Sequence, residues 1–149
     1  GLEIILACDL VVAAESARFT MGYTRTGLSP DGSSTYFLPR IVGLRRALEL
    51  TLTNRVLSAQ EALEWGIVTQ VVPDAEVLER AQTIALQLAA GPTKALGASK
   101  RLLHSGSTET LETQMEYESQ TIASIAHTTD TSEGIAAFLE KRTARYEGQ

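Results

Sequence analysis

Residues 1–21, GLEIILACDLVVAAESARFTM, change their hydrophobic period part-way along, and that change sets the fold class. In GLEIILACD, Leu2, Ile5 and Leu6 share one helical face, Gly1 opens the run and Asp9 breaks it, so a short helix is expected. LVVAA and ARFTM then follow, separated by the polar pair Glu15 and Ser16. They read as two strands joined by a tight turn, the first buried on both faces because it carries no polar side chain. The run begins without Met, inside what already reads as an apolar element, whereas a terminus is usually polar and loose. The sequence therefore reads as the C-terminal portion of a longer protein, with an N-terminal half expected upstream.

Beyond the strands lies a loop from Tyr23 to Thr35 that is rich in Gly, Ser, Thr and Pro. Its stretch GLSPDGSST, residues 27–35, places the single carboxylate Asp31 among small side chains. Pro30, Asp31 and Gly32 alone spell a turn, since Pro fixes φ, Asp bonds to nearby backbone and Gly tolerates positive φ. A carboxylate held among small residues, with few charged neighbours, is also suited to proton transfer. Asp31 is thus either a turn former or a proton carrier. Tyr23, in the same loop, could donate a hydrogen bond, stack on a flat substrate or simply pack on the core. Glu3, in the opening turn of the first helix, either complements the helix dipole or stands beside exposed N–H groups that would suit a developing oxyanion.

From YFLPRIVGLRRALELTLTN onward the pattern is helical, punctuated by Pro39 and Gly43 and ending near Asn54. In SAQEALEWG, Ser58 and Glu61 form a capping box and Gly66 a stop. IVTQVV before Pro73 reads as a strand, Asp74 as the cap of the next helix, and Gly91-Pro92 as its end. Three more helices are expected over about 93–104, 108–128 and 132–145, the last capped by Asp130 and Glu133. The resulting organisation is a core segment over residues 1–75 followed by a helical region over 76–149. At the far end, Lys141, Arg142 and Arg145 read either as a solvated helix end or, with Phe138 one turn before Lys141, as an apolar platform beside a cation for an adenine and its phosphate. Trp65, Met21 and Met115 read as core or core edge.

The chain has 149 residues, 44% hydrophobic and 21% charged, enough for a cored globular fold. Its net charge of −5, with acids and bases interspersed, does not support a nucleic-acid footprint. The single cysteine, Cys8, excludes an internal disulfide and fits a reducing compartment. Two isolated histidines, His104 and His127, do not make a metal site, and none is expected. No apolar run is long enough to span a bilayer and no signal-peptide pattern is present, so no membrane partner and a cytoplasmic location are expected.

Four motifs, GLEIILACDLVVAAESARFTM, GLSPDGSSTYFLPRIVGLRRALELTLTNR, LSAQEALEWGIVTQVVP and SEGIAAFLEKR, occur in this order across nearly the whole chain. Together they resemble the crotonase family, the enoyl-CoA hydratase and isomerase superfamily, and within it the branch that holds 1,2-epoxyphenylacetyl-CoA isomerase and 4-chlorobenzoyl-CoA dehalogenase. The resemblance implies an α/β fold, a ββα spiral core followed by a helical region that builds trimers or dimers of trimers. It implies a coenzyme A thioester as substrate, with no separate cofactor, and an oxyanion hole with one backbone donor at Gly1. Glu3 matches the first of the two glutamates that hydratases use, while Tyr23 stands where the second would be. Asp31 matches the catalytic aspartate of the branch. Tyr23, Leu28, Pro30, Phe138 and Lys141 are then expected to contact substrate. The implied activity is an enoyl-CoA isomerase in which Asp31 shuttles a proton. The alternatives are a hydratase using Glu3 and Asp31, an acyl-CoA dehalogenase or hydrolase, and a non-catalytic binding protein.

Overall fold

A computed structural model describes residues 1–149. The chain forms two compact units, Gly1–Gln82 and Thr83–Gln149. The first unit opens with helix α1 (Leu2–Leu6), whose Leu2 and Leu6 are buried, followed by strands β1 (Val12–Ala14) and β2 (Arg18–Phe19). A 3₁₀ turn over Gly22–Thr26 leads into the loop and then into helices α2 (Ser34–Val42) and α3 (Leu44–Thr53). Gly43, at φ +81°, breaks the helical run between them. β3 (Leu57–Ser58), α4 (Ala59–Glu64) and β4 (Gln70–Val72) complete the unit before α5 (Val77–Ala89).

β1 and β2 do not pair with each other as a hairpin. β1 runs parallel to β4, with Val12 opposite Gln70 and Ala14 opposite Val72, while β2 is antiparallel to β3. The Ala17 amide donates to the Ala14 carbonyl, turning the chain so that each strand leaves toward a different partner. Nor is β1 buried on both faces: Ala13 is buried, but Val12 and Ala14 are half-buried. An apolar run identifies a strand without identifying what covers its second face. Asp74 does not cap a helix. Its carboxylate accepts from the Ser16 amide and hydroxyl, tying the β1–β2 turn to the segment after β4, and this holds it below its ordinary pKa.

The core of this unit gathers Leu2, Leu6, Phe19, Met21, Leu38, Leu50, Leu57, Trp65 and Val68. The capping box of α4 is complete: Ser58 accepts from the Glu61 amide, and the Glu61 carboxylate accepts from the Ser58 amide.

The second unit contains α6 (Thr93–Ser105), α7 (Leu111–Ile125) and α8 (Thr129–Glu140). The expected cap of α8 by Asp130 and Glu133 is replaced by Thr128, whose hydroxyl accepts from the Thr131 amide. Asp130 is buried and accepts from the amides of Glu147 and Gly148, at 2.8 and 2.9 Å, so its carboxylate holds the C-terminal segment. Glu133 turns to the Arg142 guanidinium and the Arg145 amide. Met115 is 60% exposed rather than core. No helix is long and apolar enough to cross a membrane.

Candidate active site

Three elements of the first unit converge on one phenolic oxygen. Glu3 extends from the first turn of α1, Tyr23 from the 3₁₀ turn, and Asp31 from the loop before α2. The Tyr23 hydroxyl lies 2.5 Å from Glu3 Oε1 and 2.6 Å from Asp31 Oδ1. The nearest oxygens of the two carboxylates are therefore separated by no more than these two contacts laid end to end.

Each member is held locally. The Tyr23 carbonyl accepts from the Leu28 amide and the Thr26 hydroxyl, at 3.1 and 2.9 Å, and its ring packs against the core. The neighbouring Thr24 hydroxyl donates to the Thr51 carbonyl and accepts from the Asn54 side-chain amide, fastening the turn to the end of α3. The Asp31 carbonyl accepts from both the amide and the hydroxyl of Ser34, at 3.0 and 2.6 Å, and Ser34 is fully buried. Gly32 and Ser33 both stand at positive φ, which turns the chain sharply from the loop into α2. Ser34 escaped notice in the sequence because a Ser–Ser pair entering a helix looks like ordinary capping.

The electrostatics follow from the contacts. The Tyr23 hydroxyl, donating to Glu3 Oε1, holds the Glu3 carboxyl below its ordinary value. Tyr23 lies between Asp31 and Glu3, so losing its proton would add a third negative charge, and its hydroxyl is pushed well above the ordinary phenol value. At neutral pH Tyr23 is a proton donor and Glu3 is ionised. The arrangement can take up a proton, stabilise it and release it.

Gly1 sits beside the cluster through Glu3, and Leu28 and Pro30 belong to the Asp31 loop, Leu28 being 62% exposed. Phe138 and Lys141 belong to the second unit: Phe138 is 82% exposed and Lys141 terminates α8 at φ +55°. The same unit has an open cleft of about 680 Å³ lined by Thr129, Glu133, Arg142, Thr143 and Arg145. Arg142 is already paired with Glu133 and Glu140. No three His, Cys, Asp or Glu side chains converge as metal ligands.

The profile of the enoyl-CoA hydratase/isomerase family matches residues 1–149, and the chain belongs to that family. Its fold is the α/β crotonase fold, a ββα core segment followed by helices. Among curated relatives, it is 40% identical over 149 residues to the 1,2-epoxyphenylacetyl-CoA isomerase of Escherichia coli, covering 100% of this chain and 57% of that protein. It is 46% identical over 142 residues to 4-chlorobenzoyl coenzyme A dehalogenase-1 of an Arthrobacter species, covering 95% of this chain and 51% of that protein. The crystal structure of an enoyl-CoA hydratase from Bacillus anthracis matches with a TM-score of 0.94 at 40% identity, covering 100% of this chain and 58% of that one. The chain thus spans little more than half the length of these proteins.

Proposed function

We propose that the protein to which this chain belongs is an enoyl-CoA isomerase that moves a double bond by proton transfer through Asp31. The observation that carries this reading is the convergence of Asp31 and Glu3 on the Tyr23 hydroxyl. In the reaction Asp31 removes the proton on the carbon α to the thioester, and the C–H electrons pass into the thioester enolate. The protonated Asp31 then returns its proton to the γ carbon as the double bond settles between the α and β carbons. One carboxylate is sufficient, because the proton taken is the proton given back. The enolate oxygen is stabilised by two backbone N–H donors, one of them at Gly1. Tyr23, Leu28 and Pro30 contact the acyl group, Phe138 and Lys141 contact the nucleotide end of coenzyme A, and no separate cofactor takes part.

A second reading, hydration by Glu3 and Asp31 together, is favoured by the closeness of the two carboxylates, which could hold a water between them. It is weakened by the hydroxyl that already occupies that place. The E. coli isomerase at 40% identity and the Arthrobacter dehalogenase at 46% identity support an acyl-CoA substrate. An assembly of three copies, or two such trimers, belongs to the same proposal; Leu103, Ile122, Phe138 and Leu139, each more than 70% exposed, support a covered surface in the second unit. So does a cytoplasmic setting, for which the unpaired thiol of Cys8 is the support.

The full-length protein given a 3-enoyl-CoA and a 2-enoyl-CoA tests the reading. Asp31→Asn is expected to lower isomerisation by about 10²- to 10⁴-fold, and Glu3→Gln to slow it less. Hydration controlled by Glu3, with Asp31→Asn silent, would sink the isomerase assignment.

A further inference from the structure

We propose that Tyr23 is the positioning residue of the proton shuttle, its hydroxyl donating to Glu3 while it accepts from Asp31 whenever Asp31 carries the substrate's proton. The inference rests on the isomerase reading and adds to the acyl contact of Tyr23 a separate role for its hydroxyl, which acts on the carboxylate.

A count of protons leads here. A phenol has one proton to donate, yet its oxygen lies within hydrogen-bond distance of two carboxylate oxygens. With both carboxylates ionised, one contact is a hydrogen bond and the other sets two oxygens together with no proton between them. When a second proton arrives on Asp31, both contacts become hydrogen bonds: Asp31 O–H to the Tyr23 oxygen, and Tyr23 O–H to Glu3. The three oxygens are thus arranged for the state that exists midway through the reaction, after the α carbon has lost its proton and before the γ carbon has received it. Glu3 is suited to be the final acceptor, since its Oε1 lies 2.5 Å from the Tyr23 hydroxyl and its side chain is only 16% exposed. Tyr23 is suited to remain protonated, because both of its neighbours oppose its ionisation. The balance is complete without any other reactant. The α C–H bond breaks and an Asp31 O–H bond forms; later that O–H bond breaks and the γ C–H bond forms. The Tyr23 proton leans toward Glu3 and returns.

The same chain of contacts gives the proton on Asp31 a route outward. A substrate deuteron on Asp31 can pass to the Tyr23 oxygen as the Tyr23 proton passes to Glu3; exchange of the Tyr23 deuteron with water, followed by the reverse passage, leaves Asp31 carrying a proton from water before the γ carbon is reached. Removing the hydroxyl while keeping the ring should therefore slow the reaction and, at the same time, isolate the deuteron. A residue that merely supported the loop would not produce the second effect.

The test uses the full-length enzyme and a 3-enoyl-CoA deuterated at the α carbon, comparing wild type with Tyr23→Phe. The variant is expected to lower kcat by about tenfold or more, with KM within about twofold, and to raise the fraction of deuterium found at the γ carbon of the product. Tyr23→Trp, whose indole N–H donates but cannot accept, is expected not to restore kcat. An unchanged kcat and label fraction in Tyr23→Phe, or a rise confined to KM, would overturn the role given to Tyr23 while leaving Asp31 as the shuttle. A wild-type enzyme that fails to isomerise this substrate but hydrates a 2-enoyl-CoA would overturn the isomerase reading and this inference with it.

Discussion

Gly32 stands at φ +58°, and a Cβ built on it would lie 2.9 Å from Glu3 Cβ and 3.1 Å from Glu3 Cγ. Two constraints meet there, one conformational and one steric, and both follow from bringing the Asp31 loop hard against α1. Gly32→Ala is accordingly expected to cost about 1–3 kcal/mol in stability and to lower isomerisation, because the loop must retreat and Asp31 with it. Thermal unfolding and a single kinetic assay check the two parts, and a variant as stable and active as wild type would show that the close approach is dispensable. In the sequence, Asp31 stood out as a lone carboxylate among small residues, Tyr23 as a polar candidate in the same loop, and Glu3 as one in the opening turn of the first helix. The family resemblance placed all three at one site, but residue spacing did not show the shared contact. Glu3, Tyr23 and Asp31, separated by 20 and 8 residues, lie on a helix, a 3₁₀ turn and a loop, so no single element brings them together and only the tertiary fold joins them. Gly32 read as a turn residue, and its second duty, leaving room for Glu3, belongs to a neighbour that local sequence does not name.

At the scale of elements, local chemistry was the readable part. The capping box of α4 formed as its spacing requires, because both partners lie within one helical turn. The Glu61 carboxyl is held down to about 2 by the Ser58 amide, the Ser58 hydroxyl and the Arg55 guanidinium, in that order. A depressed carboxyl contributes stability that is fully present above its unfolded value of 4.5 and is lost as pH falls from there through about 2. The stability gap between wild type and Glu61→Gln should therefore be open at neutral pH and close across that window, as read by denaturant unfolding. Glu133, held down to about 2 as well, titrates in both proteins and cancels in the difference. Ser58→Ala should lose about 1 kcal/mol. Strand partners were not readable in this way. β1 finds β4 some 58 residues on, and β3, two residues long, is too short to carry a period. For the same reason α8 took its cap from Thr128: three hydroxyl or carboxyl residues in a row, Thr128, Thr129 and Asp130, each qualify by type, and the burial of Asp130 against the C-terminal segment decides among them.

For the whole molecule, the chain supplies two carboxylates, the hydroxyl between them and the loop that holds them, while proteins of its family at this similarity are nearly twice its length. The exposed apolar side chains of α6, α7 and α8 are the counterpart at the surface, since Leu103, Ile122 and Phe138 are left uncovered by this chain itself. The family was legible because four ordered motifs run through both units. The proposed acid–base chemistry on an acyl-CoA was read from the family resemblance, and the choice between isomerase and hydratase depends on which carboxylate holds the proton. The most direct measurement is therefore the fate of that proton: full-length enzyme, a 3-enoyl-CoA deuterated at the α carbon, and the deuterium content of the γ carbon in the product for wild type and Asp31→Asn. Asp31 as shuttle predicts label carried from α to γ above the solvent level in wild type, and loss of both transfer and turnover in the variant. Transfer and turnover that persist in Asp31→Asn would contradict it.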